Sequence, residues 1–235
     1  MPTKQYALIA REAHPTLAVV GACAIVAQVT LSGYVAGPLW LLLAGLIYLF
    51  RDPTQTPPSL PLAVVSPIHG VVTKLGTLHD PWLKRAAEVI IIRTGPFDIR
   101  SIYAPTEGKI LEQWSHVPNP GSDDDDPPHS SAYLIRTDEK DDVVLVITRA
   151  AWGGAISFGY NPGERVGQGR RVGYANFGCT ARLYLPEGSR YMVADGDHVA
   201  AGSTIVAKLV HLTRMAKSTV DAQAMSAATG DDAGS

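Results

Sequence analysis

An uncharged, largely apolar run from Thr16 to Phe50 limits what this chain can fold into more than any other feature. It divides at Ser32–Pro38 into segments of sixteen and thirteen residues. A full membrane span needs about 20 apolar residues, so neither segment spans without borrowing from the central turn. A body of this size would hardly enclose such a run. The run therefore predicts an N-terminal α-helical membrane hairpin, either two short spans or a re-entrant pair.

The charges beside the hairpin predict its orientation. Lys4 and Arg11 precede it, Arg51 follows it, and the turn carries no charge. The positive-inside rule then places both ends, and the body that follows, on the cytoplasmic face of the inner membrane. A cleaved signal peptide fits poorly, because the apolar region is too long and has no clear cleavage site. The alternative is a buried helical hairpin in a soluble protein.

Composition divides the chain into four parts. Residues 1–50 hold the hairpin, and residues 51–62 form a proline-rich linker. Residues 63–211 alternate short β-prone runs with glycine turns, which is typical of a mainly β barrel or sandwich. Residues 212–235 are rich in Ala, Ser, Asp and Gly and predict a disordered tail.

Three local predictions follow within the body. Tyr133–Arg136 and Val143–Thr148 are expected to pair as strands around a turn. Asp80–Glu88 is expected to hold one or two helical turns. The run Asp123–Asp126 suggests either a cation site or a mobile solvated loop, and its spacing does not match a calcium loop. No metal is implied.

Charge and cysteine usage narrow the function classes. The formal net charge of −2 gives no sign of a general affinity for nucleic acid. Cys23 lies in the apolar run and Cys179 in the distant polar part, so a disulfide is not expected and a reducing cytosol is permitted.

The stretch Asn176–Pro186 carries the sharpest chemical signal. Gly178 can take backbone angles that are closed to other residues. Cys179 follows it, where a thiol can attack the carbonyl of the preceding peptide bond. The alternative is a small buried residue that opens a strand.

Seven stretches, in this order, resemble the phosphatidylserine decarboxylase family, in its short membrane-hairpin branch, over about residues 15–210. They are the apolar hairpin, Phe50–Pro53, Val65–Gly70, Phe97–Pro105, Phe177–Cys179, Leu183–Pro186 and Gly196–Gly202. The resemblance implies a proenzyme that cuts itself at a Gly-Ser bond and converts the new N-terminus into a pyruvoyl cofactor. That carbonyl forms a Schiff base with phosphatidylserine and acts as an electron sink while carbon dioxide leaves, giving phosphatidylethanolamine.

The chain departs from the family at the expected catalytic positions. Cys179 replaces the serine, His69 replaces an aspartate and Arg100 replaces a histidine. Ile102 and Tyr103 stand where an asparagine and an arginine are usual. The resemblance makes Gly178–Cys179 the expected cleavage site, with Cys179 as the precursor of any pyruvoyl group.

The replaced residues allow two outcomes. Cys179 can form a thioester in place of an ester, with His69 as its base. Arg100 stays protonated, so it cannot act as a base, but it can hold a carboxylate or phosphate or lower the pKa of Cys179. The alternative is that all three drifted after the chemistry was lost. A literal Gly-Ser-Thr at Gly202–Thr204 resembles the cleavage motif of longer family members, but Ser203 lies in the final hairpin and is not the expected processing residue.

Three functions remain open from the sequence. The first is a self-processed decarboxylase, a carboxy-lyase of phospholipid biosynthesis. The second is a catalytically inactive relative that binds a phospholipid or partners an active enzyme. The third is a lipoyl-like or adaptor β-domain on a membrane anchor. Exposed strand edges also leave pairing into a homo-oligomer open.

Overall fold

The computed structural model describes residues 14–30, 33–51, 55–58, 60–95, 98–117, 130–149, 156–175 and 178–210. Within these residues the chain is mainly β, with a curled half-barrel sheet behind an N-terminal pair of helices. The fold class predicted from the sequence is therefore confirmed. The Asp123–Asp126 run and the predicted tail lie outside the described residues.

The two helices are α1, His14–Thr30, and α2, Gly33–Leu49. The predicted turn at Ser32–Pro38 is wrong in extent, because α2 begins at Gly33 and contains Pro38. Proline has no backbone N–H, so Pro38 cannot bond the carbonyl of Tyr34, four residues earlier. Because Pro38 lies near the start of the helix, few carbonyls lose their partner, and α2 continues through Pro38. Within the described residues, no helix is long and apolar enough to cross a membrane.

The base of the helix pair is anchored on the β body. Phe50 is buried against Tyr174 of the body, and Leu17 and Leu46 pack beside them. The backbone N–H of Phe50 donates to the Leu46 carbonyl at 2.9 Å, which continues the last turn of α2. This small apolar cluster joins the hairpin to the strands that carry the candidate site.

The strands are short and follow one another through glycine-rich turns. In chain order they are β1 Ala63–Val65, β2 Gly70–Asp80, β3 Arg85–Arg93, β4 Ser101–Tyr103, β5 Gly108–Val117, β6 Ser130–Arg136, β7 Asp142–Arg149, β8 Ile156–Phe158, β9 Arg165–Val166, β10 Arg171–Ala175, β11 Cys179–Leu185, β12 Arg190–Tyr191, β13 His198–Val199 and β14 Ile205–Lys208. The predicted strands Tyr133–Arg136 and Val143–Thr148 are confirmed, since they lie in the antiparallel pair β6–β7.

An eight-stranded sheet has the order β13-β2-β3-β11-β7-β6-β5-β9, and two three-stranded sheets have the orders β4-β10-β8 and β1-β14-β12. Successive side chains alternate between the two faces of a strand. The residues of β11 show this, because Ala181 and Leu183 lie in the main core while Tyr184 packs in a second cluster on the other face. The large sheet is therefore buried on both faces in its central strands.

The predicted helical turns at Asp80–Glu88 are wrong, because the segment is a tight turn into β3. The buried Asp80 carboxylate accepts the backbone N–H groups of Trp82 and Leu83 at 2.9 and 3.2 Å. Lys84 then takes a positive φ of 50°. An aspartate that bonds the backbone just after it favours a turn over a helix.

Candidate active site

A glycine turn leads directly into β11, the strand that begins with Cys179. Gly178 has a φ of 94°, a backbone angle that side chains rarely allow. An added Cβ there would meet nothing closer than the Thr94 carbonyl oxygen at 4.0 Å, so the glycine is required by its backbone angle and not by crowding. The residues 176–177 that precede it lie outside the described part of the chain.

The thiol of Cys179 is enclosed by the end of β3. Its side chain is 4% exposed, and its Sγ lies 3.6 Å from Thr94 Oγ1. The backbone N–H of Thr94 donates to the Cys179 carbonyl at 3.0 Å. Burial raises the pKa of the Cys179 thiol to about 11, and the hydrogen bond from Thr94 opposes this in part. At neutral pH only about one thiol in ten thousand is therefore ionised.

His69 lies at the same end of the sheet as Cys179. It is half-buried and immediately precedes Gly70, the first residue of β2. Val71 and Thr180 are both paired with Arg93, one on each side of β3. His69 and Cys179 therefore flank the end of β3, with one strand between their backbones.

Arg100 is turned toward the base of the helix pair. It is 6% exposed, and its guanidinium carbon lies 5.1 Å from the centre of the Phe50 ring. Its backbone carbonyl accepts the N–H of Ala175 at 2.9 Å, which places it beside the segment that leads to Gly178. Arg100 thus connects the hairpin to the strand preceding the candidate site.

Two residues at the site have no counterpart among the sequence predictions. Thr94 contacts the thiol, and Arg149 is paired directly opposite Cys179 at the end of β7. Val143, Leu145 and Ile147 of β7 lie in the same core cluster as Cys179. Because side chains alternate, Arg149 lies on that face too. The strand Val143–Thr148 was predicted from the sequence, but its register against Cys179 was not.

Ser203 lies in the turn between β13 and β14, apart from β11. Its Oγ is 3.4 Å from the Ala200 carbonyl, and the Thr204 hydroxyl accepts the Ala200 N–H at 3.0 Å. The neighbouring Gly202 has a φ of 70° and donates its N–H to the Ser66 carbonyl at 2.7 Å. These hydrogen bonds stabilise the turn that contains Ser203.

In the part of the chain that the structure describes, no group of three or more His, Cys, Asp or Glu side chains is arranged to hold a metal ion.

The similarity of this chain to known proteins extends over most of its length. The family model described as phosphatidylserine decarboxylase matches residues 42–207. A phosphatidylserine decarboxylase proenzyme of Nitrosomonas eutropha is 33% identical over 208 residues, covering 86% of this chain and 95% of the relative. The proenzyme of Nitrosomonas europaea is 32% identical over 211 residues, with 88% and 98% covered.

A third relative, the proenzyme of Aromatoleum aromaticum, is 31% identical over 206 residues, with 86% of this chain and 96% of the relative covered. No solved structure matches the chain significantly. The fold and site define a β-domain protein with a nucleophile at a glycine turn. The chain belongs to the phosphatidylserine decarboxylase family.

Proposed function

We propose that this chain is a phosphatidylserine decarboxylase-like protein of phospholipid metabolism that processes itself between Gly178 and Cys179. The supporting observation is the position of Cys179, which begins β11 directly after a glycine with positive φ. Family membership over most of the chain supplies the substrate class, the phosphatidylserine named by its relatives.

The processing step uses atoms of the chain and water. The Sγ of Cys179 attacks the Gly178 carbonyl carbon, its proton passes to the departing peptide nitrogen, and a thioester replaces the peptide bond. Loss of the Cys179 Cα proton then breaks the Cβ–Sγ bond, expels a Gly178 thiocarboxylate and leaves a dehydroalanine. Water converts the dehydroalanine to a pyruvoyl group with release of ammonia. His69 is the proposed base, from the same end of the sheet.

Cys179 fits its role as the precursor of that group. Its Cβ–Sγ bond supplies the leaving atom, and its place at a strand start holds the new N-terminus against Thr94. The pyruvoyl carbonyl supplies the electron sink for loss of carbon dioxide. Arg100 is a permanent cation, so it orients an anionic group and does not move a proton. No metal takes part in the proposed chemistry.

The proposal places the protein at the cytoplasmic face of the inner membrane. The helix pair exposes large apolar side chains, among them Tyr34 at 92%, Leu41 at 76% and Tyr48 at 60%. A contiguous apolar surface of this kind is typical of a membrane contact. Arg51 lies at its end with its guanidinium 4.2 Å from the Tyr48 ring centre, where a cation meets anionic headgroups.

A second candidate function is an uncut family member that binds phospholipid without decarboxylating it. The observation that favours it is the buried Cys179 thiol, whose pKa of about 11 leaves it almost wholly protonated. The replacement of the family's histidine by Arg100 points the same way, because arginine cannot return a proton to a carbanion.

The test is the intact mass of the purified full chain after mild denaturation. Two pieces, 1–178 and 179–235, with the smaller one lacking its sulfur and its free amine, are the expected result. A break at Gly202 would show that Ser203 is the processing residue. A single chain of about 25.0 kDa contradicts self-processing. Phospholipid binding by that uncut chain would then support the second function, and its absence would favour an adaptor domain.

A further inference from the structure

The inference concerns Arg149, the last residue of β7. It is paired directly opposite Cys179 in the antiparallel register. Side chains at directly opposed positions on one face of a sheet have Cβ atoms about 5 Å apart. Ile147, two residues earlier, packs in the core cluster that includes Cys179, so Arg149 follows it onto the same face. The side chains of Arg149 and Cys179 therefore start side by side on one face of the sheet.

Arg149 is a half-buried cation whose charge no described side chain balances. Among the described residues its side chain makes neither a hydrogen bond nor an ion pair, although its Nε atom is shielded from solvent. Two other arginines at strand ends do have carboxylate partners: Arg136 is paired with Asp142 and Arg165 with Asp138. Withdrawing a cation from water is unfavourable unless an anion or acceptor meets it.

The neighbouring thiol does not supply that anion. Burial keeps Cys179 protonated at neutral pH, so the thiol carries no negative charge that could balance Arg149. The Thr94 hydroxyl adds a further polar contact at the same place, 3.6 Å from the Sγ atom. A guanidinium presents a planar fork of N–H donors that matches carboxylate and phosphate oxygens.

We propose that Arg149 binds the oxyanion of a phospholipid headgroup, its phosphate or carboxylate, beside Cys179. The lipid source of the anion rests on the proposed function, whereas the oxyanion chemistry rests on Arg149 itself. Arg149 is thus a binding residue of this site. The proposal assigns the headgroup to the face of the sheet that carries the thiol.

The experiment measures equilibrium binding of water-soluble dihexanoyl lipids to the full chain in detergent. The probes are the phosphatidylserine, phosphatidylglycerol and phosphatidylcholine forms, with inorganic phosphate as a fourth. The variants are Arg149→Ala and Arg149→Lys. The matched control is Arg190→Ala, which removes one exposed charge from β12 in a different sheet. Circular dichroism melting verifies that each variant is folded.

Wild type is expected to bind the two anionic lipids more tightly than phosphatidylcholine. Arg149→Ala should weaken them roughly ten- to a hundredfold, as loss of a charge-assisted bidentate contact does. The affinity of Arg149→Lys for the anionic lipids should lie between those of wild type and Arg149→Ala, and the affinity of Arg190→Ala should equal that of wild type. Preference for phosphatidylserine over phosphatidylglycerol would assign the carboxylate, and equal affinity the phosphate.

Three results would overturn the proposal. The first is wild-type affinity in folded Arg149→Ala or, if that variant does not fold, in Arg149→Lys. The second is an equal loss in Arg190→Ala, which would show a general charge effect. The third is no binding of either anionic lipid by wild type. Equal affinity for inorganic phosphate would overturn the lipid assignment.

These outcomes are independent of chain cutting. An uncut, inactive chain whose lipid binding depends on Arg149 would refute the decarboxylase and keep the inference. A cut and active chain whose lipid binding is unchanged in Arg149→Ala would keep the decarboxylase and refute the inference about Arg149.

Discussion

Among the glycine–nucleophile pairs of the chain, Gly178–Cys179 and Gly202–Ser203 lie in different surroundings. Both glycines have positive φ, 94° and 70°. Cys179 opens a central strand, is 4% exposed and contacts Thr94 from the adjacent strand. Ser203 lies in a local turn, where its hydroxyl is 3.4 Å from the Ala200 carbonyl.

The difference shows that a dipeptide motif is not a site. At Gly202 the hydrogen bonds close the turn on itself and on Ser66. At Gly178 the surroundings come from β3 and β7, which place Thr94 and Arg149 beside the nucleophile. Among the described residues, the groups brought to Cys179 include a hydroxyl and a cation from distant parts of the chain, whereas the turn at Gly202 bonds the backbone carbonyl of Ser66.

The largest expected effect is on chain cutting. Cys179→Ala should abolish it, because no sulfur remains to attack the Gly178 carbonyl, and Ser203→Ala should be cut as wild type is. The measurement is the intact mass of both variants, expressed in parallel. Cutting that survives in Cys179→Ala and is lost in Ser203→Ala would reverse the comparison.

The second prediction uses the pH dependence of stability. Folding raises the Cys179 pKa from 9.0 to about 11, so the buried thiol stabilises the fold fully below pH 9. That contribution, about 3 kcal/mol, is lost as pH rises through 11. Urea unfolding of wild type against Cys179→Ala, on uncut chains, isolates this loss from the titration of tyrosines.

A serine hydroxyl does not titrate in this range. The difference in unfolding free energy between wild type and Ser203→Ala should therefore stay constant between pH 8 and 11. A constant difference for Cys179→Ala as well would mean that the thiol is less shielded than its 4% exposure indicates.

The third prediction compares the two glycines. Gly178→Ala forces a side chain into a positive φ and should destabilise the chain by about 1–2 kcal/mol. Gly202→Ala should destabilise it by at least as much, because its Cβ would also lie 3.1 Å from the Tyr103 ring. Thermal unfolding checks both values.

Only Gly178→Ala should slow the cutting, since a relaxed turn moves the carbonyl away from the Sγ atom. The rate of cutting is measured from the intact mass of each variant at increasing times after synthesis. Equal slowing in the two variants would indicate that general destabilisation, and not the turn, controls the rate.

Much of the fold follows from local sequence. Short β-prone runs separated by glycine turns predicted a mainly β body. The predicted strands Tyr133–Arg136 and Val143–Thr148 are indeed paired. The failures were also local. The Asp80 carboxylate bonds the backbone of its own turn, which excludes the predicted helical turns, and Pro38 is accommodated inside α2, where a turn was predicted.

The site was less predictable than the fold. Cys179 and Gly178 stand out as neighbours in the chain, and the resemblance added His69 and Arg100. Thr94 is separated from Cys179 by 85 residues, and only the register of β3 against β11 brings their side chains together. No single-sequence pattern contains a cross-strand register of this length.

The smallest expected effect concerns Thr94. In a Cys23→Ser background the uncut chain keeps Cys179 as the one thiol in the sequence, and a small uncharged alkylating reagent reports its thiolate fraction. Thr94→Val should slow alkylation at pH 9 about threefold, because the lost hydrogen bond stabilised the thiolate. Thr94→Ser should restore the wild-type rate, since serine keeps the hydroxyl.

Thr204→Val is the matched control, because it removes a hydroxyl that bonds the backbone in the Ser203 turn. It should leave the alkylation rate unchanged even if it destabilises the chain slightly. Faster alkylation in Thr94→Val would mean that the threonine shields the thiol more than it stabilises its anion. Cys179 would then differ from Ser203 by burial alone, and His69 would remain the one proposed group to activate its sulfur.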